Sequence, residues 1–451
     1  MADAVAMAEE VIRALLRPGF FPEASAVEHL QTHISHVFLA GRHAYKLKKP
    51  VRFPFLDFGT PERREHFCRE ELRLNRRLCP TVYLDVLPIT REPDGGLVLA
   101  GTGEPVEHVV RMRRLPGDGM LSGLLARDAV APMTIEQLGA LVARFHAGAP
   151  TDAAIAAHAD PERLRARWDE EMAGLRPLVG GLLAPEEHAI LSDFGPAFVR
   201  THETLLRARQ RAGHVREGHG DLHAGNVCIV ERRTDSGLEP GIYVFDCIEF
   251  SPALRANDVA SEVAFLAMDL EERGHPDLAR RFVDAYVAAA RDDVLPVLLP
   301  FYGAYRACVR AKVEGLAAAD PDVDGPDRKR AEERARRELA FAVRSAWTAV
   351  GPAVIVCTGL SGSGKTTLAE ALADATGFRL IGSDALRKAD DRGTATAGYG
   401  TGRYTPAARE AVYDALRAAV DEALATGGGV VADATFIRAA DRDRLASVAR
   451  A

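Results

Sequence analysis

The chain predicts two folded units in tandem: an α+β domain made of a small and a large lobe, then an α/β domain on a parallel sheet. Three observations carry this expectation. Residues 359–366 read Gly-Leu-Ser-Gly-Ser-Gly-Lys-Thr, between an apolar run from Ala353 to Thr358 and a helical pattern from Leu368 to Ala373. Far upstream, residues 219–226 read His-Gly-Asp-Leu-His-Ala-Gly-Asn and lead into an apolar hairpin that delivers Asp246. Between the two motifs, residues 317–337 turn to Ala, Asp, Pro, Arg and Glu, with two prolines and a glycine that break the preceding helix. A length of 451 residues allows two or three domains, each able to bury its own core.

In chain order, Val37 to Ala40, Gly41-Arg42, and His43 to Lys48 read as a hairpin whose second arm alternates in polarity. From Pro61 to Leu78 the pattern is helical, with Phe67, Glu71, Leu74 and Leu78 on one face. A carboxylate on an apolar stripe is costly unless paired, so Glu71 is expected to hold Lys46. Glu70, His66, Arg73 and Arg77 fall on the polar side. The run from His108 to Gly117 reads as a strand entering a hinge, and Ile135 to Ala147 and Pro161 to Leu175 as helices of the larger lobe, with Arg163, Arg165, Arg167 and Arg176 as a solvated face. Strands at Val227 to Val230 and Ile242 to Phe245 flank a polar turn from Arg232 to Gly241, with Asp235-Ser236-Gly237 at its tip. Beyond them, Glu249 is expected near a substrate mouth, Asp258 as the cap of a helix from Val259, and Arg306, Arg310 and Lys312 in structural charge pairs.

A hairpin brings its two ends together, so Asn226 and Asp246 become neighbours. One amide oxygen and one carboxylate suit Mg²⁺, which keeps its other positions for water and phosphate. Asp221, five residues before Asn226, can accept or orient the proton of an attacking hydroxyl. This spacing resembles the Asp-x-x-x-x-Asn catalytic loop of protein kinases, and His-Gly-Asp in front of it resembles the aminoglycoside phosphotransferase branch. The resemblance implies a protein-kinase-like fold, Asp221 as catalytic base, Asn226 and Asp246 on the metal, His223 near the transferred phosphate and His219 as loop support. It also implies that Lys46, in Ala44-x-Lys46, pairs with nucleotide phosphates and with Glu71. The chain departs from protein kinases in lacking Gly-x-Gly-x-x-Gly ahead of Lys46, where only Gly41 stands.

In the downstream unit, strand, glycine loop and helix form a phosphate cradle at a helix N-terminus. Gly359, Ser361, Gly362, Ser363, Gly364, Lys365, Thr366 and Thr367 are expected to bind nucleotide, with the Thr366 hydroxyl on Mg²⁺. Arg379 to Asp384 and Val430 to Asp433 read as further strands; Asp433 would brace the metal shell. Asp384 and Arg387 resemble the catalytic pair of P-loop kinases, where the carboxylate activates a hydroxyl and the arginine orients the acceptor. Such kinases carry two more strands and an arginine lid, so this domain is expected to be incomplete.

The expected boundaries are 1–316 for the kinase-like domain (small lobe about 25–112, large lobe about 116–316), 317–351 for a charged linker or helix, and 352–451 for the P-loop domain. Taken together, the chain resembles bifunctional aminoglycoside phosphotransferase/ATP-binding proteins. The resemblance implies ATP- and Mg²⁺-dependent transfer of a phosphoryl group to a hydroxylated small molecule. A non-catalytic nucleotide sensor, and a toxin-like kinase acting on a nucleotide sugar through Asp384, are the alternatives. A net charge of −7 argues against a general nucleic-acid surface. No apolar stretch approaches a bilayer span, Asp3, Glu9, Glu10 and Arg13 exclude a secretory leader in the first residues, and cytoplasm is expected. The six cysteines form no Cys-x-x-Cys pair and read as inert buried thiols. None of these motifs bears on oligomeric state.

Overall fold

In the small lobe, strand alternation sorts side chains onto two faces that serve different purposes. The protein is described by a computed structural model covering residues 2–53, 56–234, 237–321, 323–389, 406–425 and 427–449. Its contacts divide the chain into one unit of residues 1–164 and 202–299, and a second of residues 165–201 and 300–451.

The first unit opens with helix α1 (Ala2–Leu15), then strands β1 (Val27–Gln31), β2 (Ser35–Ala40), β3 (His43–Lys48), β4 (Arg52–Phe53) and β5 (Leu56–Asp57). Helix α2 (Pro61–Asn75) and strands β6 (Tyr83–Arg91), β7 (Leu97–Leu99) and β8 (Glu104–Arg113) follow. The main sheet has the order β1-β2-β3-β8-β6-β7 and is antiparallel throughout. Tyr45 and Leu47 of β3 join Phe38, Ile89 and Val109 in a core closed by Leu15 and Phe21. The intervening Lys46 and Lys48 therefore point to the opposite face. Thr60 caps α2 through the Arg63 N–H, and Pro61 fits its first turn. The helix stops at Asn75, short of the expected Leu78, and Pro80 disfavours helical backbone just before it. Its buried face is Arg64, Cys68, Glu71, Leu74 and Asn75, while Phe67 and Leu78 are half-buried.

The rest of this unit comprises α3 (Leu121–Leu125), α4 (Pro132–Gly148), α5 (Ala153–Ala156), the start of α6 (Pro161–Leu175), then, after α7 (Pro185–Thr201), α8 (Glu203–Arg211) and β9 (Val215–Glu217). A hairpin of β10 (Val227–Thr234) and β11 (Gly237–Val244) comes next, then α9 (Pro252–Arg255), β12 (Ala256–Asp258), α10 (Val259–Glu272) and α11 (Pro276–Ala290). The hairpin arms are longer than expected. Residues assigned to a polar turn continue the ladder in register, down to Thr234 opposite Gly237; backbone pairing, which apolar patterning does not report, extends them. Asp235 and Ser236, at the expected tip, lie outside the described residues.

The second unit holds α7, α12 (Leu299–Ala319) from Pro300 onward, and α13 (Gly325–Thr348), whose 24 residues occupy most of the stretch read as a linker or helix. Beyond them come β13 (Val354–Cys357), α14 (Lys365–Thr376), β14 (Arg379–Gly382), α15 (Ser383–Ala389), α16 (Pro406–Ala425), β15 (Val430–Asp433) and α17 (Ala439–Val448). The sheet β13-β15-β14 is parallel, with Asp433 opposite both Cys357 and Gly382. Helix α16 was not anticipated; its Leu416 and Val420 pack on Ile381, Val430 and Ala432. Lys312 pairs with Glu171 at 2.6 Å and Arg310 with Glu338 at 2.7 Å, both within this unit. Among the described residues no helix is long and apolar enough to cross a membrane.

Candidate functional site

The first site is assembled on the lysine face of β3. Lys46 Nζ donates to Glu71 Oε1 at 2.8 Å and to Asp246 Oδ1 at 2.5 Å. Lys48, two residues on and on the same face, donates to Glu71 Oε2 at 2.7 Å and to Glu249 Oε1. Glu71 is fully buried, so both of its oxygens depend on these ammonium groups. Burial opposes the charge on both lysines, but the carboxylates of Asp246, Glu71 and Glu249 outweigh it and hold both above the ordinary lysine range. Burial would also raise Glu71, yet the two lysines bring it below the usual carboxylate range. Glu249 moves the opposite way: burial raises it, and Lys48 does not fully offset that effect. Three carboxylates thus share two ammonium groups, and of the two buried ones Glu249 is less compensated than Glu71.

The motif from His219 to Asn226 follows β9, which pairs with β12. His219 is buried, and burial keeps its imidazole below its ordinary value and hence neutral. Its Nδ1 accepts the Asp221 N–H at 3.2 Å, and its Nε2 donates to the Phe245 carbonyl at 2.9 Å. One ring therefore ties the Asp221 loop to the residue before Asp246. The Asn226 amide nitrogen donates to the Asp221 carbonyl at 3.0 Å and to its carboxylate at 3.2 Å. The Phe245 N–H returns to the Asn226 carbonyl at 3.0 Å, so the hairpin base does bring these segments together. His223 Nε2 lies 3.4 Å from Asp221 Oδ2, and its Nδ1 accepts the Gly225 N–H. Asp246 has φ +66°, a left-handed conformation that aspartate tolerates better than most residues, and its N–H donates to the Tyr83 hydroxyl.

This donor set fits a divalent cation. Asn226 uses its NH₂ on Asp221 and leaves Oδ1 without a hydrogen bond among the described residues, and Asp246 uses Oδ1 on Lys46 and leaves Oδ2 likewise. Two hard oxygens on facing segments are what such an ion takes from protein when phosphate and water supply the rest.

Several supports were not anticipated. Glu262, buried on α10, accepts the His219 N–H at 2.5 Å, the Gly220 N–H at 2.6 Å and His146 Nε2 at 2.8 Å. Burial acts to raise its carboxyl, but the hydrogen bond and charge interaction with His146, then the charge interaction with His219 and the Gly220 N–H, bring it down to about 2. A Cβ at Gly218 would stand 2.2 Å from Glu262 Oε1, which explains glycine there. Asp269, two turns further along the same face of the helix, accepts the Ala224 N–H at 2.8 Å. Arg77, expected on the solvated side of its helix, instead donates to the Glu217 and Gly218 carbonyls at 2.7 and 2.8 Å. Glu249 is 4% exposed and committed to Lys48, so it does not line a substrate mouth. Asp258 caps α10 through the Ala260 N–H and pairs with Arg209. The spacing of Lys46 and Lys48 on one strand face was the signal for the second lysine; nothing local marks Glu262.

The second site stands at the C-terminal ends of the parallel strands of the other unit. Gly362 and Gly364 have φ +78° and +82°, and Gly364 caps α14, so the loop curls with its N–H groups at a helix start. Gly359, Ser361, Ser363, Thr366 and Thr367 are on this loop or the first turn of α14, and Lys365 Nζ rests on the Leu360 carbonyl at 3.3 Å. The Thr366 hydroxyl donates to Asp433 Oδ2 at 2.7 Å. Asp433 Oδ1 is buried and has no hydrogen-bond partner among the described residues, an oxygen beside the glycine loop that a hydrated cation would satisfy. Asp384 and Arg387 pair at 2.6 Å at the start of α15, with the Asp384 side chain 76% exposed.

Comparison with known proteins finds two family profiles in succession along the chain. The profile of the phosphotransferase enzyme family matches residues 50–301, and that of an AAA domain matches residues 354–451. Uncharacterised proteins of Mycobacterium tuberculosis and Mycobacterium bovis are 33% identical over 411 residues, covering 90% of this chain and 78% of theirs. Among solved structures, a choline/ethanolamine kinase family protein from Mesorhizobium loti is 16% identical with a TM-score of 0.43, covering 74% of this chain and 99% of that one. A glucosamine kinase in complex with glucosamine, ADP and inorganic phosphate is 20% identical with a TM-score of 0.35, covering 74% and 81%. The chain belongs to the phosphotransferase enzyme family, with a protein-kinase-like α+β fold followed by an α/β domain of P-loop kinase type.

Proposed function

We propose that the first unit transfers the γ-phosphoryl group of ATP to a hydroxyl of a small molecule, with Mg²⁺ held by Asn226 and Asp246. The observation that carries this reading is that two bonded pairs, Asn226 on Asp221 and Lys46 on Asp246, are joined through the Phe245 backbone, which bonds both Asn226 and His219. The cation, when bound, neutralises charge on the phosphates. Asp221 orients the acceptor hydroxyl and takes its proton as the new P–O bond forms and ADP departs. Lys46 leaves Asp246 for the nucleotide phosphates, and His223, within reach of Asp221, stands near the transferred group. The P-loop unit binds a second nucleotide through residues 359–367, with Thr366 and Asp433 at its metal and Asp384 and Arg387 at its acceptor side. The six cysteines are free and buried, which suits a cytoplasmic enzyme.

The test is transfer of labelled phosphate from ATP to a panel of hydroxylated metabolites, with Asp221→Asn and Lys365→Ala as controls. Removal of a carboxylate base typically costs 10²–10⁴-fold. Asp221→Asn is expected to lose turnover on that scale while keeping ATP affinity, and activity within about tenfold of wild type would take Asp221 out of the role.

A further inference from the structure

The first site contains two lysine–carboxylate bridges in series, and they differ in what can reach them. Lys46 ties Glu71 to Asp246, whose side chain is 42% exposed. Lys48 ties the other oxygen of Glu71 to Glu249, and these three side chains are 0 to 3% exposed. The Lys48 ammonium is further sealed by the Phe58 ring, 4.9 Å from it. No ligand can touch Lys48, yet it joins α2 to the segment three residues past the metal-binding aspartate.

We propose that Lys48 and Glu249 are positioning residues for the metal–nucleotide site, a permanent clamp that lets the neighbouring Lys46–Asp246 bridge open. The inference rests on the phosphotransferase reading above. If Lys46 turns to nucleotide phosphates and Asp246 to a cation, the Lys46–Asp246 tie between β3 and the metal-binding segment is lost. Glu71 is also left sharing Lys46 with a stronger set of anions. A buried carboxylate stripped of its cation is costly, commonly enough to displace it. Lys48 removes that cost because it stays on Glu71 Oε2 throughout, and its second bond keeps Glu249, and with it the Asp246 segment, in place. The left-handed Asp246 and the following Cys247 N–H bond to Asn75 Oδ1 of α2, at 3.0 Å, run parallel to this clamp.

The experiment uses the full chain carrying Lys365→Ala and Thr366→Ala, so that metal binding reports the first unit. Mn²⁺ binding in the presence of ADP is followed by electron paramagnetic resonance, and folding by circular dichroism and melting. Asp246→Asn is expected to abolish the signal. Glu249→Gln and Lys48→Met are each expected to weaken Mn²⁺ binding at least tenfold in folded protein. The double variant is expected to fall no more than threefold below Lys48→Met, because both changes break one link. Glu249→Gln keeps both lysines and the shape of the site, so it decides the matter should Lys48→Met fail to fold. Binding within twofold of the parent in Glu249→Gln or in folded Lys48→Met, with only the melting temperature lowered, would reduce the pair to a structural role and overturn the proposal. Losses that multiply in the double variant would do the same. Metal binding indifferent to Asp246→Asn would instead bring down the site assignment itself, and the clamp with it.

Discussion

Glu71 shows how one side chain can decide a site. It is wholly buried, and its two oxygens are taken by two different lysines on adjacent same-face positions of β3. Truncating such a residue leaves two ammonium groups short of charge in a dry environment. Glu71→Ala is therefore expected to cost about 3–5 kcal/mol, the range for breaking a buried ion pair by removing one partner. Urea denaturation followed by far-ultraviolet circular dichroism measures it. A loss under about 1 kcal/mol, the value of a surface pair, would show that the network is solvated in solution.

Among the elements, α10 holds the loop that carries Asp221 and Asn226. Its Glu262 gathers two consecutive backbone N–H groups, and its Asp269 a third, so the chain from His219 to Ala224 is held against one helix. These bonds need the charged carboxylate, which predicts a pH signature. The folded value of Glu262, about 2, lies below its ordinary 4.5. Its contribution to stability is therefore complete above 4.5 and is lost as pH falls from there toward about 2. The difference in melting temperature between wild type and Glu262→Gln should be widest near neutrality and close across that interval. A difference that stays constant through it would mean the carboxylate charge is not what holds the loop.

For the molecule as a whole, the two units carry separate candidate sites, one built on a strand lysine and hairpin, the other on a glycine loop and helix start, and the proposed function gives each its own nucleotide. Calorimetric titration with Mg²⁺ and ADP should count two sites in the wild type. One should remain in Thr366→Ala, one in Asp246→Asn, and none in the double variant. Loss of both sites on either single change would show that the nucleotides bind as a coupled pair.

Much of both sites was legible in advance because their parts are local. The phosphate loop, the run from His219 to Asn226, and the hairpin that returns to Asp246 each depend on neighbours in sequence and on turn and cap preferences that act over a few residues. Amphipathic spacing also exposed Glu71 as a carboxylate in need of a cation. What the amino-acid order alone left open were partners roughly 200 positions apart: Lys46 with Asp246, separated by 200 residues, and Lys48 with Glu249, by 201. Arg77 and Glu262 belong to the same class, since each acts on backbone groups contributed by a distant segment. Charge attraction is indifferent to identity: any buried lysine satisfies any buried carboxylate. Only the packing of α2 on β8 and β6, next to β3 in the sheet, and of α10 against the loop, selects which pairs meet.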